Sequence, residues 1–171
     1  ALPLAPVATA SRYDVGEVLA SGGMGTVHAG FDRLAQRPVA YKRLSAARES
    51  ARSRVAALFR REYDTLSHLT HPNIVEVYDD GFDALGPYYT MELLSGSDLA
   101  KLAPLPVADA CRVVRDVASA LALVHARRFV HRDVSPNNVR LTADGRAKLI
   151  DFGGLTSFGV PNEIVGTPAF I

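Results

Sequence analysis

The chain has 171 residues, a formal charge of +1 and 48% apolar residues. That length suits one domain or two small lobes, that composition argues against disorder, and the near-neutral charge excludes a nucleic-acid binder working by phosphate neutralisation. No apolar run approaches the roughly 18 residues that a membrane span requires.

Residues 1–10 are rich in Ala and Pro, with no basic start and no long apolar core, and read as a linker or a cut terminus rather than a signal peptide. Three strands follow. Tyr13–Leu19 and Thr26–Phe31 flank the glycine cluster Ser21-Gly22-Gly23-Met24-Gly25, and Pro38–Lys42 comes after a polar turn. Residues 46–69 read as a helix with Val55, Leu58, Phe59, Leu66 and Leu69 at helical spacing, stopping before His71-Pro72. Two more strands are expected at Ile74–Phe82 and Tyr88–Leu93, joined by the turn Asp83-Ala84-Leu85-Gly86.

The second half changes character. Val107, Cys111, Val114, Ala118, Leu121 and Val124 recur at three and four, which predicts an amphipathic helix buried along that stripe. Two short strands, Asn138–Thr142 and Ala147–Ile150, flank the hairpin signal Asp144-Gly145. Cys111, the single cysteine, is expected to be a buried thiol filling core space, which fits a reducing compartment.

The candidate chemistry begins at the glycine cluster, where backbone without side chains lets amides approach phosphates. Lysine is scarce, with 3 Lys against 16 Arg, so each Lys invites a reason. Lys42, on a predicted strand 17 residues after Gly25, suits a fixed cation aimed at a ligand, and Glu62, 20 residues further on, suits a carboxylate that holds it. The stretch His131-Arg132-Asp133-Val134-Ser135-Pro136-Asn137-Asn138 is followed 13 residues later by Asp151-Phe152-Gly153. Two acids and an amide so placed can converge on divalent cations and a hydroxyl, since Mg2+ takes a few protein oxygens together with substrate phosphates. His68 and His71 lack further ligands for a metal site and match a structural turn before Pro72.

With these motifs in this order, the sequence resembles the bacterial, eukaryotic-like serine/threonine protein kinases, over about Tyr13 to Ile171. His71-Pro72-Asn73-Ile74-Val75 and Gly166-Thr167-Pro168 extend the match. The resemblance implies an α+β, two-lobe fold: a five-stranded antiparallel sheet with one long helix over about 11–93, then a mainly helical lobe over about 94–171 that ends inside the activation segment. The partial domain would span 11–171, and the fragment alone is expected to be inactive. It also implies ATP and Mg2+ as ligands, protein substrates carrying Ser or Thr, no nucleic acid and no membrane segment in this stretch. The expected setting is the cytoplasm, with a membrane-anchored parent as an alternative.

Residue by residue, the resemblance implies that the loop with Gly22, Gly23 and Gly25 covers the phosphates, with Leu19, Val27 and Ala40 above the adenine. Lys42 would pair the phosphates and be held by Glu62. Met91 would guard the back of the pocket, the backbone at Glu92 and Leu94 would bond the adenine edge, and Asp98 would meet the ribose. Asp133 would accept the substrate hydroxyl proton, while Asn138 and Asp151 would hold magnesium. Thr167 would orient the catalytic aspartate, and His131, Phe152, Leu66 and Val77 would form the apolar column between lobes.

Three positions depart from the pattern: Ala20 replaces the first loop glycine, Ser135 replaces a phosphate-contacting lysine, and Arg140 stands at the apolar adenine floor. Arg140 has an aliphatic stem that can serve there while its charged end reaches solvent. These departures keep a non-catalytic, nucleotide-binding pseudokinase as the alternative, with a small-molecule phosphotransferase behind it. Thr156 and Ser157 are candidate phosphorylation sites, with Arg132 a candidate partner for the added phosphate.

Overall fold

The computed structural model describes residues 12–22, 25–44 and 52–159. Five strands, β1 (Tyr13–Gly22), β2 (Gly25–Asp32), β3 (Arg37–Leu44), β4 (Val77–Asp83) and β5 (Gly86–Glu92), form one antiparallel sheet in the order β1-β2-β3-β5-β4. β3 lies between β2 and β5, and its Val39–Lys42 side chains are buried. Lys42 stands opposite Val27 on one side and Tyr89 on the other.

β4 begins at Val77, three residues later than the sequence suggests. The preceding residues are spent elsewhere. Val75 N–H donates to Leu149 O and Leu149 N–H to Asn73 O, each at 2.9 Å, so this segment joins the second half of the chain instead of the sheet. The Asn73 side chain adds a bond to Ala147 O at 2.9 Å. His71 accepts the Asn73 amide through Nδ1, the structural role its position before Pro72 suggests.

Helix α1 (Arg52–Leu66) lays Phe59, Glu62 and Leu66 against the sheet, and Phe59 meets the Tyr89 ring at 5.0 Å between centroids. The helix stops at Leu66, short of the predicted Leu69. There Ser67 Oγ donates to Asp64 O, and the 66–69 backbone tightens into a turn.

The second half contains β6 (Ser97–Asp98), the single turn α2 (Leu99–Leu102), α3 (Val107–Ala126) and β7 (Phe129–Val130). These lead to a 3-10 turn at Pro136–Asn138, then β8 (Val139–Leu141), β9 (Ala147–Leu149) and β10 (Thr156–Ser157). β6, β8 and β9 pair as one small sheet, and β10 pairs with β7. One core runs through both halves, from Ala40, Phe59, Leu66 and Met91 to Val124, Val139, Leu149 and Phe152. A second cluster of Tyr13, Val39 and Tyr41, with Tyr78 and Tyr88 against it, covers the opposite face of the sheet.

The face of α3 departs from expectation. Its buried residues are Val113, Asp116, Ala120 and Val124, whereas Val107, Cys111, Val114 and Ala118 are exposed. The helix carries two apolar stripes, and the buried one includes a carboxylate that periodicity of apolar residues skips. Asp116 accepts the Ala147 amide at 3.1 Å and the Arg115 guanidinium at 2.7 Å, tethering α3 to the β8–β9 hairpin. Cys111 is therefore a surface thiol, because it sits across the helix from Val113.

Candidate active site

Between the sheet and the second half lies a cavity of about 650 Å3. Leu19, Gly22, Gly25, Val27, Ala40, Lys42, Met91, Glu92, Leu94, Asp98, Asp133, Asn138 and Asp151 all line it. Glu62 sits behind Lys42 instead of on the wall, and Gly23 lies outside the described residues, as do Gly166, Thr167 and Pro168.

The strand turn at the roof explains its glycines differently. A Cβ at Gly25 would lie 2.3 Å from Arg43 O, so close strand approach requires glycine there. A Cβ at Gly22 would meet no atom of the described residues within 4 Å, so its bare backbone is open on that side. Ala20 stands opposite Val27, just past an irregularity in the β1–β2 register, and its φ lies outside the left-handed region, so alanine replaces glycine there without strain.

Lys42 Nζ donates to Glu62 Oε1 and Oε2 at 2.8 and 2.9 Å and stands 3.9 Å from Asp151 Oδ1. Burial works against the ammonium charge, but the facing Glu62 and Asp151 carboxylates outweigh it and hold the Lys42 pKa above the usual lysine value. Burial pushes the Glu62 carboxyl up, against the pull of Lys42. Tyr89 was not singled out in the sequence. Its ring lies 5.5 Å from Lys42 Nζ, and burial drives its phenol pKa upward, so it forms the neutral wall of the pair.

On the opposite wall, Asn138 Nδ2 donates to Asp133 Oδ2 at 2.8 Å and to Asp133 O at 2.9 Å, which fixes the aspartate. The Asp133 amide donates to His131 Nδ1, and burial lowers the His131 pKa. The buried His131 and Phe152 rings meet edge to face at 4.8 Å. Leu66 is buried and Val77 half-buried in the same core. Phe152 is inside, its amide 3.4 Å from Glu62 Oε1, and neighbouring Asp151 turns a half-exposed carboxylate to the cavity, with one oxygen held by the Gly153 amide. Ser135 is buried off the cavity wall, its hydroxyl without a hydrogen-bond partner among the described residues.

A hard cation suits this wall in part. Asp151 offers carboxylate oxygen, and Asn138, whose amide nitrogen is committed to Asp133, offers its amide oxygen. Among the described residues no three His, Cys, Asp or Glu side chains form a metal site by themselves, so a ligand's own oxygens would complete the shell.

Several lining residues have no role in the sequence reading: Val75, Leu93, Lys101 and Ile150; Arg132, the candidate phosphate partner, lines the cavity as well. Lys101 carried a signal in the rarity of lysine. The other unassigned lysine, Lys148, pairs with Glu92, whose carboxylate also accepts the Glu76 amide, so the end of β5 is tied to β9. Thr156 and Ser157 are engaged in β10, and Arg132 Nε donates to Gly154 O at 2.9 Å.

Comparison with known proteins agrees with this architecture. A family model described as the protein kinase domain matches residues 13–171. Serine/threonine-protein kinase PknL of Mycobacterium bovis is 38% identical, covering 99% of this chain and 44% of that protein. PksC of Streptomyces coelicolor is 37% identical over 94% of this chain and 32% of its own length. The DNA damage-responsive kinase RqkA of Deinococcus radiodurans is 37% identical over 99% of this chain and 27% of its own length. The chain belongs to the protein kinase family, and its α+β fold is the one that family membership implies. It spans less than half the length of these curated relatives. No helix among the described residues is long and apolar enough to cross a membrane.

Proposed function

We propose that the protein transfers the γ-phosphate of ATP to serine or threonine hydroxyls of protein substrates. The observation that carries this reading is the Lys42–Glu62 pair beside Asp151, facing the Asp133–Asn138 pair across one cavity. The purine lies among Leu19, Val27, Ala40 and Met91, against the backbone of Glu92 and Leu94, with its sugar at Asp98. The open side of Gly22 leaves room for phosphates. Lys42, oriented by Glu62, offsets phosphate charge, and Asp133 accepts the hydroxyl proton as the substrate oxygen bonds phosphorus and ADP departs. Magnesium held by Asn138 and Asp151, with the phosphates, supplies further charge neutralisation. The lobes correspond to about 11–93 and 94–171, and the setting is the cytoplasm, with either a soluble or a membrane-anchored parent.

Asp133, held by Asn138 on the same cavity, is a positioned proton acceptor that nucleotide binding alone does not require, which favours catalysis over a nucleotide-binding scaffold. In the full-length protein, Asp133→Ala lowers the rate of radiolabel transfer from ATP to a protein substrate by about 10²–10⁴, the scale of a positioned general base. Full-rate transfer by that variant removes Asp133 from the mechanism, and nucleotide binding without any transfer by the unmodified protein favours the scaffold.

A further inference from the structure

Arg140 does more than replace an apolar floor. It stands directly opposite Asp98 in the β6–β8 pairing, and its Nε donates to Gly96 O at 2.9 Å. That carbonyl is fixed, because Gly96 is pressed so closely on β8 that a Cβ there would fall 1.3 Å from Leu141 O. The anchored guanidinium holds Nη1 3.9 Å from Asp98 Oδ1, while Lys101 Nζ lies 2.8 Å from Asp98 Oδ2. Each carboxylate oxygen thus faces a cation, and all three side chains line the cavity. Two cations against one carboxylate leave this end positive.

Resting on the nucleotide reading above, which puts the sugar at Asp98, we propose that Arg140 is a specificity-determining residue. Lys101 holds one Asp98 oxygen, and the anchored Arg140 guanidinium, 3.9 Å from the other, offsets the charge that would draw a hydroxyl, so the site is indifferent to the ribose 2′-hydroxyl. A hydroxyl donating to an uncommitted carboxylate gains about tenfold or more in affinity. A hydroxyl that must displace an existing cation exchanges one partner for another and gains little. Lys101 alone does not enforce this, since its exposed ammonium yields easily to a ligand, whereas the Gly96 carbonyl keeps Arg140 in place.

The test is calorimetric binding of MgADP and its 2′-deoxy counterpart to the full-length protein. The expected affinities lie within about twofold of each other for the unmodified protein. Arg140→Leu, with an apolar floor, and Arg140→Gln, which keeps a donor for Gly96 without the charge, are each combined with Lys101→Met. In both, the preference for the ribose form rises to about tenfold. A tenfold ribose preference already present in the unmodified protein overturns the inference, as does an unchanged ratio in both double variants. Failure of both nucleotides to bind the unmodified protein overturns it together with the nucleotide reading, so the two failures are distinct.

Discussion

Two lysines in this cavity sit 2.8 Å from a carboxylate, and the two pairs have almost nothing else in common. In the first, Lys42 and Glu62 side chains are 9% and 1% exposed, Phe152 packs beneath, and Tyr89 forms a neutral wall. In the second, Lys101 is 74% exposed and Asp98 23%. Equal distance does not mean equal energy. Water screens the outer pair and competes for both partners, while the inner pair has surrendered its hydration and depends on its mate. The inner pair is a fixed charge on the cavity wall; the outer one is a replaceable contact at the rim.

The largest effect follows from breaking the inner pair on one side. Lys42→Met leaves the Glu62 carboxylate buried without its cation, at a cost of about 3–5 kcal/mol in denaturant unfolding. The double variant Lys42→Met/Glu62→Leu, which removes both charges, regains most of that stability while phosphate transfer stays lost. Full stability in the single variant would mean that burial does not set the value of the pair.

Arg12–Asp32 falls between the extremes: Asp32 is fully buried and Arg12 partly exposed. The Arg12 guanidinium donates to both Asp32 oxygens, and the Leu34 and Ala35 amides add two bonds that close the β2–β3 turn. The Arg12 bond, ahead of opposing desolvation, holds the Asp32 carboxyl down at about 2. An unfolded aspartate titrates near about 4, so the native state binds fewer protons between these values. The contribution is full above about pH 4 and is lost as pH falls through about 2. Unfolding measured across that window should show stability dropping with acid, and Asp32→Asn should flatten the drop attributable to this group.

The contrast between the pairs also explains what could be read in advance. Lys42, Glu62, Asp133, Asn138 and Asp151 are recognisable because their residue types and spacings carry the chemistry, and the structure gathers four of them on one cavity with Glu62 behind. The strands of the sheet are legible from alternation and turn residues. What spacing does not encode is partnership across distant segments. Asp116 is tied to Ala147, Lys148 to Glu92 and Arg140 to Gly96, all contacts made only when the chain is folded. For the same reason apolar periodicity finds the buried face of α3 only at its end, at Leu121 and Val124: earlier the buried face includes the carboxylate of Asp116, and the stripe through Val107 and Val114 is exposed. Likewise β4 starts late because Val75 bonds Leu149, a competitor invisible from local sequence.

The smallest effect tests the outer pair. Lys101→Met removes an i,i+3 contact on the four-residue α2, where the ammonium is already solvated. The expected loss is below about 1 kcal/mol, and raising the salt concentration should shrink it further. Removing Lys101 also leaves Asp98 with Arg140 still 3.9 Å away, so the carboxylate is not stranded as Glu62 would be. A loss as large as that of Lys42→Met would show that Lys101 is held by more than its visible carboxylate. A small, salt-sensitive loss would instead separate the two lysines by solvent alone, since the distance to their carboxylates is the same.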